Sequence, residues 1–127
     1  MRNLLDTHTL IWFLNGEADL SDKARKVIQR RNAINLVSVA SLWEMQLKNS
    51  VGKLALPTGA LSSQLSNEGF GILPITAAHV DRAREISGLQ GDPFALLLAA
   101  TADIERMTLL TKDTRLLSLG LGYLKEV

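Results

Sequence analysis

The stretch that decides the fold is Leu4-Leu5-Asp6-Thr7-His8-Thr9, close to the start of the chain. A short apolar run ends there in a single carboxylate, and an amphipathic segment follows at once. This order predicts a strand that carries Asp6 at its carboxyl end, with Thr7 able to cap the helix behind it. In open α/β sheets, ligands bind at the carboxyl ends of the strands. Asp6 is therefore the first candidate functional residue.

The remainder of the chain alternates strand and helix signals. Strands are predicted at 4–5, 34–38, 71–74, 108–111 and 123–127, and helices at 7–15, from 21, at 40–48, at 58–67, from 76 to a stop at Gly88, at 94–104 and at 116–117. Alternation of this kind predicts an α/β domain whose central sheet is mostly parallel and whose crossovers are right-handed.

The composition limits the possible classes of protein. A chain of 127 residues, 46% hydrophobic and 21% charged, predicts a single globular domain over 1–127. The net charge of +1 gives no strong field, and the absence of cysteine excludes disulfides, thiolate zinc sites and cysteine nucleophiles. An early charge and the lack of a long apolar window lead us to expect a cytoplasmic protein with no membrane partner.

Four carboxylates lie at or just beyond predicted strand ends, and these are Asp6, Glu44, Asp92 and Asp113. A parallel sheet brings such ends to one edge. Magnesium and manganese prefer oxygen ligands, and a metal held by a few acids activates water and neutralises charge on a phosphodiester. The set therefore indicates a metal-dependent site.

Each of these acids also has a purely structural interpretation. Asp6 is a possible helix cap, although a functional role is favoured. Glu44 follows Ser41 at the spacing of a capping box, Asp92 before Pro93 has the pattern of a helix start, and Asp113 fits a turn or cap. For Glu44 and Asp113 the two interpretations are balanced, whereas capping alone explains Asp92.

A basic helix face follows the first helix, formed by Lys23, Arg25, Lys26, Arg30 and Arg31. A solvated surface is the favoured interpretation, and a ridge that faces phosphates is the alternative.

Four blocks of sequence resemble one known family. They are 4–8 with Trp12; 38–44 with Lys48 and 52–54; 73–76 with His79; and 92–94 with 99–102 and 111–113. Together they resemble the PIN-domain ribonucleases, in particular the VapC-like toxins of bacterial toxin–antitoxin pairs. The resemblance implies a three-layer α/β/α domain with a mostly parallel sheet of four to five strands.

The resemblance also implies an activity and its residues. The activity would be a Mg²⁺- or Mn²⁺-dependent endoribonuclease, and the partners a cognate antitoxin, RNA and a second copy of the chain in a homodimer. Asp6, Glu44 and Asp113 match the family's catalytic acids, and Asp92 is added as the candidate for the remaining acid; Asp6, Asp92 and Asp113 would hold the metal. Substrate contacts would come from Thr7, Lys48 or Lys53, and Thr111.

One position departs from the family pattern. Relatives carry Asp-Pro-Phe-Asp-Arg where this chain has Ala95 and Leu96 after 92–94, and Gln90-Gly91 stands where relatives often have His and Arg. Three explanations stay open: a substitution introduced to disarm a toxic enzyme, drift in which Asp92, one turn away on the same helix face, takes over the metal, or a domain that has lost catalysis. Leu96 favours drift modestly. We expect weak metal binding and low activity, because one carboxylate is missing.

Two other functions compete with the ribonuclease. A catalytically inactive PIN module that binds antitoxin or RNA is supported by Ala95. A receiver-like phospho-acceptor domain is weaker, because such domains want paired acids after the first strand and Asp6 stands alone there.

Overall fold

The computed structural model describes residues 2–52, 54, 56, 59–86 and 92–127, and it confirms the predicted α/β class. Its five strands are β1 (Arg2–Leu5), β2 (Ile34–Ser38), β3 (Gly71–Leu73), β4 (Thr108–Thr111) and β5 (Leu124–Glu126). They form one sheet in the order β3-β2-β1-β4-β5, and every neighbouring pair is parallel. Leu5 of β1 pairs with Leu110 of β4, so the segments that follow these two central strands lie side by side.

Seven helices connect the strands of the described chain. They are α1 (Thr7–Asn15), α2 (Asp22–Gln29), α3 (Val39–Ser50), α4 (Leu61–Asn67), α5 (Ala77–Glu85), α6 (Pro93–Glu105) and α7 (Thr114–Ser118). Ser21, Thr76 and Asp92 cap α2, α5 and α6 as predicted. The predicted stop of α5 at Gly88 lies outside the described residues. Within the described ranges, no helix is long and apolar enough to span a bilayer.

The core is divided by the sheet into two layers. Alternate strand residues point to opposite faces, so Leu5 and Leu110 pack into one cluster with α1, α2 and α4, and Leu4 and Leu109 pack into another with α6. All four leucines are fully buried, and each contributes about 1.5–3 kcal/mol by leaving water. These two cores fix β1 and β4, and therefore fix the edge on which the predicted acids lie.

The basic face of α2 is a surface of this fold. Lys23, Lys26 and Arg30 are exposed. Arg25 has a structural role instead, since its Nη2 donates to the carbonyl oxygen of Glu17 at 2.7 Å. The favoured interpretation of this face as solvated agrees with the exposure of its lysines.

Candidate active site

A cavity of about 460 Å³ opens at the carboxyl ends of β1 and β4. Its lining residues are Asp6, Thr7, His8, Trp12, Glu44, Asp92, Ala95, Leu98, Lys112, Asp113, Thr114 and Glu126. The structure thus brings together all four acids that the sequence singled out, and it places Ala95 among them. We call this the acidic cavity.

Asp6 starts α1 as well as lining the cavity. Its backbone is extended, its Oδ1 accepts a hydrogen bond from the backbone N–H of Thr9 at 2.8 Å, and only 7% of the residue is exposed. The prediction of Thr7 as the cap is wrong, because Thr7 is already the first helical residue. The structural and the functional interpretations of Asp6 are therefore compatible.

Thr111 connects the two acids of the central strands. Its Oγ1 donates to Oδ2 of Asp6 at 2.5 Å and accepts from the backbone N–H of Asp113 at 3.0 Å. Asp113 in turn caps α7, because its Oδ1 accepts from the N–H groups of Arg115 and Leu116 at 2.9 and 3.2 Å. One buried hydroxyl thus joins the carboxylate of Asp6 to the backbone of Asp113, just beyond the ends of two neighbouring strands.

The carboxylate of Glu44 contacts two side chains, one on α1 and one a turn further along α3. Its Oε1 accepts from Oγ1 of Thr7 at 2.6 Å, and its Oε2 lies 3.2 Å from Nζ of Lys48. These contacts orient the carboxylate from both sides. They leave it half-buried at the edge of the acidic cavity, with Lys48 offsetting part of its charge.

The predicted capping box at Ser41 and Glu44 is wrong. Helix α3 begins at Val39, and its cap is Ser38, whose Oγ accepts from the N–H of Ala40 at 3.0 Å. Ser41 therefore lies inside the helix, where its Oγ is 3.1 Å from Oγ1 of Thr7.

Asp92 caps α6, as the Asp-Pro pattern predicts. Its Oδ1 accepts from the N–H groups of Phe94 and Ala95 at 3.0 and 3.1 Å, with Pro93 as the first helical residue. Ala95 follows one turn into the helix and is 7% exposed. A methyl group therefore occupies the point where the family pattern has a carboxylate.

The cavity fits a divalent metal in the type of its ligands but not in their placement. Five carboxylates and Lys112 line it, and carboxylate oxygens suit Mg²⁺ or Mn²⁺. However, the described residues contain no group of three or more His, Cys, Asp or Glu side chains placed to hold one ion. Three of the acids accept backbone hydrogen bonds at helix starts, and Ala95 supplies no further oxygen.

The residues expected to contact substrate lie at this edge and contact the acids. Thr7 and Thr111 donate to Glu44 and Asp6, and Nζ of Lys48 lies 3.2 Å from both Glu44 and Nε2 of His8. The predicted contact from Lys53 and the departures at 90 and 91 lie outside the described residues.

The sequence interpretation missed six lining residues: His8, Trp12, Leu98, Lys112, Thr114 and Glu126. Glu126 ends the edge strand β5, so the rule that selected the other strand-end acids would have found it. Lys112 Nζ donates to the carbonyl oxygen of Asp19 at 2.8 Å and lies 5.7 Å from the ring centroid of Trp12. No local sequence pattern predicts either contact of Lys112, because each joins segments far apart in sequence.

Comparisons with known proteins agree with this architecture. Two solved structures share the fold at 18% sequence identity. One is VapBC2 from Rickettsia felis bound to a DNA fragment from its promoter, with a TM-score of 0.71 over 100% of this chain and 99% of that chain. The other is a toxin–antitoxin complex from Klebsiella pneumoniae, with a TM-score of 0.69 over 98% and 99%. No curated protein sequence matches the chain.

The family model of the PIN domain matches residues 4–120, a span that includes the last two residues of β1, all of β4, the seven helices described above and every acid of the cavity except Glu126. This match removes the receiver-like alternative. The chain belongs to the PIN domain family.

Proposed function

We propose that this chain is the toxin of a toxin–antitoxin pair and that it hydrolyses RNA at the acidic cavity in a reaction dependent on Mg²⁺ or Mn²⁺. The observation that carries the proposal is the convergence of Asp6, Glu44, Asp92 and Asp113 on one cavity at the β1–β4 edge of a PIN domain. Asp6, Asp92 and Asp113 are the proposed metal ligands, and because no three such side chains of the described residues are placed to hold one ion, these carboxylates would have to move closer together when the metal binds. When bound, the metal would supply an activated water and neutralise charge on the scissile phosphate.

The residues around the acids fix their positions before substrate arrives. Thr111 and the start of α1 hold the two oxygens of Asp6, so the fold itself fixes the orientation of this carboxylate. Thr7 and Lys48 orient Glu44 in the same way, and we propose that Glu44 acts as the general base that accepts a proton from the attacking water.

Ala95 sets the expected level of activity. A divalent ion in this cavity has one fewer negative ligand than the family pattern supplies, so its affinity falls. Asp92 compensates in part, because it lies on the same face of α6 one turn earlier. The proposed enzyme is therefore weak, and its activity depends on high metal concentration.

A cleavage assay tests the proposal. Labelled single-stranded RNA is incubated with the chain and Mn²⁺, and the initial rate is compared among three variants. We expect Asp6→Asn to abolish cleavage, Ala95→Asp to increase it at least about tenfold, and Asp81→Asn to leave it unchanged, since Asp81 is exposed on α5 away from the cavity. Unchanged cleavage by Asp6→Asn would place the activity elsewhere.

A catalytically inactive module that binds antitoxin or RNA is the second candidate. Ala95 favours it, and so do the helix caps, because Asp6, Asp92 and Asp113 each stabilise a helix start whether or not a metal binds. Absence of cleavage by both the natural chain and Ala95→Asp, with RNA binding retained, would support this candidate over the enzyme.

The proposed partners are an antitoxin and a second copy of the chain. The two solved neighbours are toxin–antitoxin proteins, which supports an antitoxin partner here.

Large exposed apolar side chains recur every fourth residue along α3 and just beyond it, at Val39, Trp43, Leu47 and Val51. This stripe is where we expect the homodimer contact. Sedimentation of Trp43→Glu, compared with the natural chain, tests it: an unchanged mass would remove the stripe from the interface.

A further inference from the structure

A second cavity adjoins the acidic cavity and shares two aromatic side chains with it. It has a volume of about 490 Å³ and is lined by His8, Ile11, Trp12, Asn15, Glu17, Lys48 and Leu54. His8 and Trp12 line both cavities. The two rings therefore form the boundary between a carboxylate-rich space and a less acidic one.

The two rings are placed together by helix geometry. His8 and Trp12 are four residues apart on α1, so they share one face, and their centroids are 5.9 Å apart with planes inclined by 32°. Each ring also has a lysine beside it. Nζ of Lys112 lies 5.7 Å from the centroid of Trp12, and Nζ of Lys48 lies 3.2 Å from Nε2 of His8.

This combination suits one class of ligand. Single-stranded nucleic acids are bound by aromatic rings on which unpaired bases stack and by cations that contact the backbone phosphates. We propose that Trp12, with His8, forms a stacking subsite for the unpaired base next to the scissile phosphate, with Lys48 and Lys112 contacting the flanking phosphates. The inference rests on the proposed action on RNA and adds the feature that selects single strands.

Packing against the core does not remove Trp12 from this role. Its side chain is half-buried and packs against the α1–α2–α4 core, which holds the indole rigid while part of it lines the two cavities. The chain's other tryptophan offers a matched control. Trp43 is 59% exposed on α3 and lines neither cavity.

Binding measured without metal separates stacking from catalysis. The probes are a fluorescein-labelled oligouridylate and a labelled abasic ribose-phosphate chain of the same length, which keeps every phosphate but has no bases. Fluorescence anisotropy is measured in EDTA, so that neither probe is cleaved. We expect the natural chain to bind the oligouridylate about tenfold more tightly than the abasic chain, in line with the loss on removing one stacked base.

The variants locate that preference. Trp12→Leu should lose about tenfold in affinity for the oligouridylate and little for the abasic chain, and Trp12→Phe should fall between it and the natural chain. Trp43→Leu changes the stripe proposed as the dimer contact, so the control is the ratio of the two affinities, which should equal that of the natural chain because Trp43 lines neither cavity. Equal binding of the two probes by the natural chain, a result that needs no variant to fold, would overturn the subsite. So would an unchanged preference in Trp12→Leu.

The subsite and the proposed function fail in different ways. A chain that prefers the oligouridylate through Trp12 but cleaves no RNA keeps the subsite and loses the enzymatic proposal. A chain that cleaves RNA but binds both probes equally keeps the enzyme and loses the subsite.

Discussion

Two groups of acids in this molecule are held in opposite ways. In the acidic cavity, Asp6 accepts hydrogen bonds from a backbone N–H and a hydroxyl, which carry no charge. Between α5 and α6, Asp103 accepts from Nε of Arg82 at 2.6 Å, and Glu105 lies 2.8 Å from Nε2 of His79. We call the latter group the α5–α6 cluster.

The difference separates carboxylates that hold two helices together from carboxylates that are available to bind a ligand. In the α5–α6 cluster each carboxylate has its own partner across the helix interface, so the contacts join two helices. Nδ1 of His79 accepts from the N–H of Thr76 at 3.1 Å, which assigns the ring hydrogen to Nε2 and makes it the donor to Glu105. In the cavity, the described part of the chain supplies one ion pair, Glu44 with Lys48. Its uncompensated negative charge favours a cation from solution.

Asp6 should give the largest effect on stability. Asp6→Ala removes a helix cap and leaves the buried hydroxyl of Thr111 without its acceptor, so we expect the free energy of unfolding to fall by about 2–4 kcal/mol. Asp6→Asn keeps an acceptor at the cap and should lose about 1 kcal/mol. Urea denaturation measures both. Equal losses would show that the negative charge, rather than the hydrogen bonds, holds this edge together.

Ala95 should give the largest effect on metal binding. Ala95→Asp adds a carboxylate one turn after Asp92, where the amino end of α6 favours negative charge. We expect Mn²⁺ affinity to rise at least about tenfold, seen as a higher Tm in Mn²⁺ than in EDTA. Ala95→Asn is the matched control, since it has nearly the same size without the charge, and it should not show the gain. A gain in both variants would argue against ligation by position 95.

Salt should distinguish the two groups of acids. Thr111→Val removes the hydroxyl that donates to Asp6, so we expect a loss of about 1–3 kcal/mol that does not change with added salt. Arg82→Gln breaks the pair with Asp103, in which both side chains are about one-third exposed, and the smaller loss should disappear in concentrated NaCl. Unfolding measured in low and high salt checks both. A salt-sensitive loss at Thr111 would remove the distinction.

Tyr123 should give the smallest effect. Its Oη is buried without a hydrogen-bond partner among the described residues, and burial, followed by the charge of Asp103, raises its pKa. Tyr123→Phe should therefore be neutral or stabilising by up to about 1 kcal/mol at neutral pH.

The pH dependence of that variant has a defined sign. Above the ordinary tyrosine pKa of about 10, the unfolded chain releases a proton that the folded chain retains, so the stability of the natural protein falls as pH rises. The advantage of Tyr123→Phe should therefore grow above pH 10, in thermal unfolding recorded across that range. A constant difference between the two chains would contradict the raised pKa.

The sequence predicted the elements of this fold better than the contacts between them. Strands β2 and β4 and helix α1 have the predicted bounds, because hydrophobic periodicity and the residues at their ends act locally. The caps of α1 and α3 were misplaced, since a cap depends on where the backbone leaves the extended region. In the structure, that point lies at Asp6 for α1 and at Ser38 for α3.

The sequence predicted the acids of the candidate site but not the side chains that hydrogen-bond to them. Strand-end position alone selected Asp6 and Asp113, and the parallel sheet brought them together. The contact of Thr7 with Glu44 joins residues 37 positions apart, and that of Thr111 with Asp6 joins residues 105 apart. Such contacts depend on the packed fold, and no local pattern encodes them.

Asp6, Asp92 and Asp113 each cap a helix, so a mutation at any of them affects both the stability of the fold and the proposed site. Selection for folding alone would keep a capping side chain at these three positions even without catalysis, because each begins a helix. Position 95 has no capping role, and its methyl group packs at the edge of the core beside α6. Under the proposed function, position 95 therefore reports on catalysis more directly than the three capping acids, whose loss also weakens the fold.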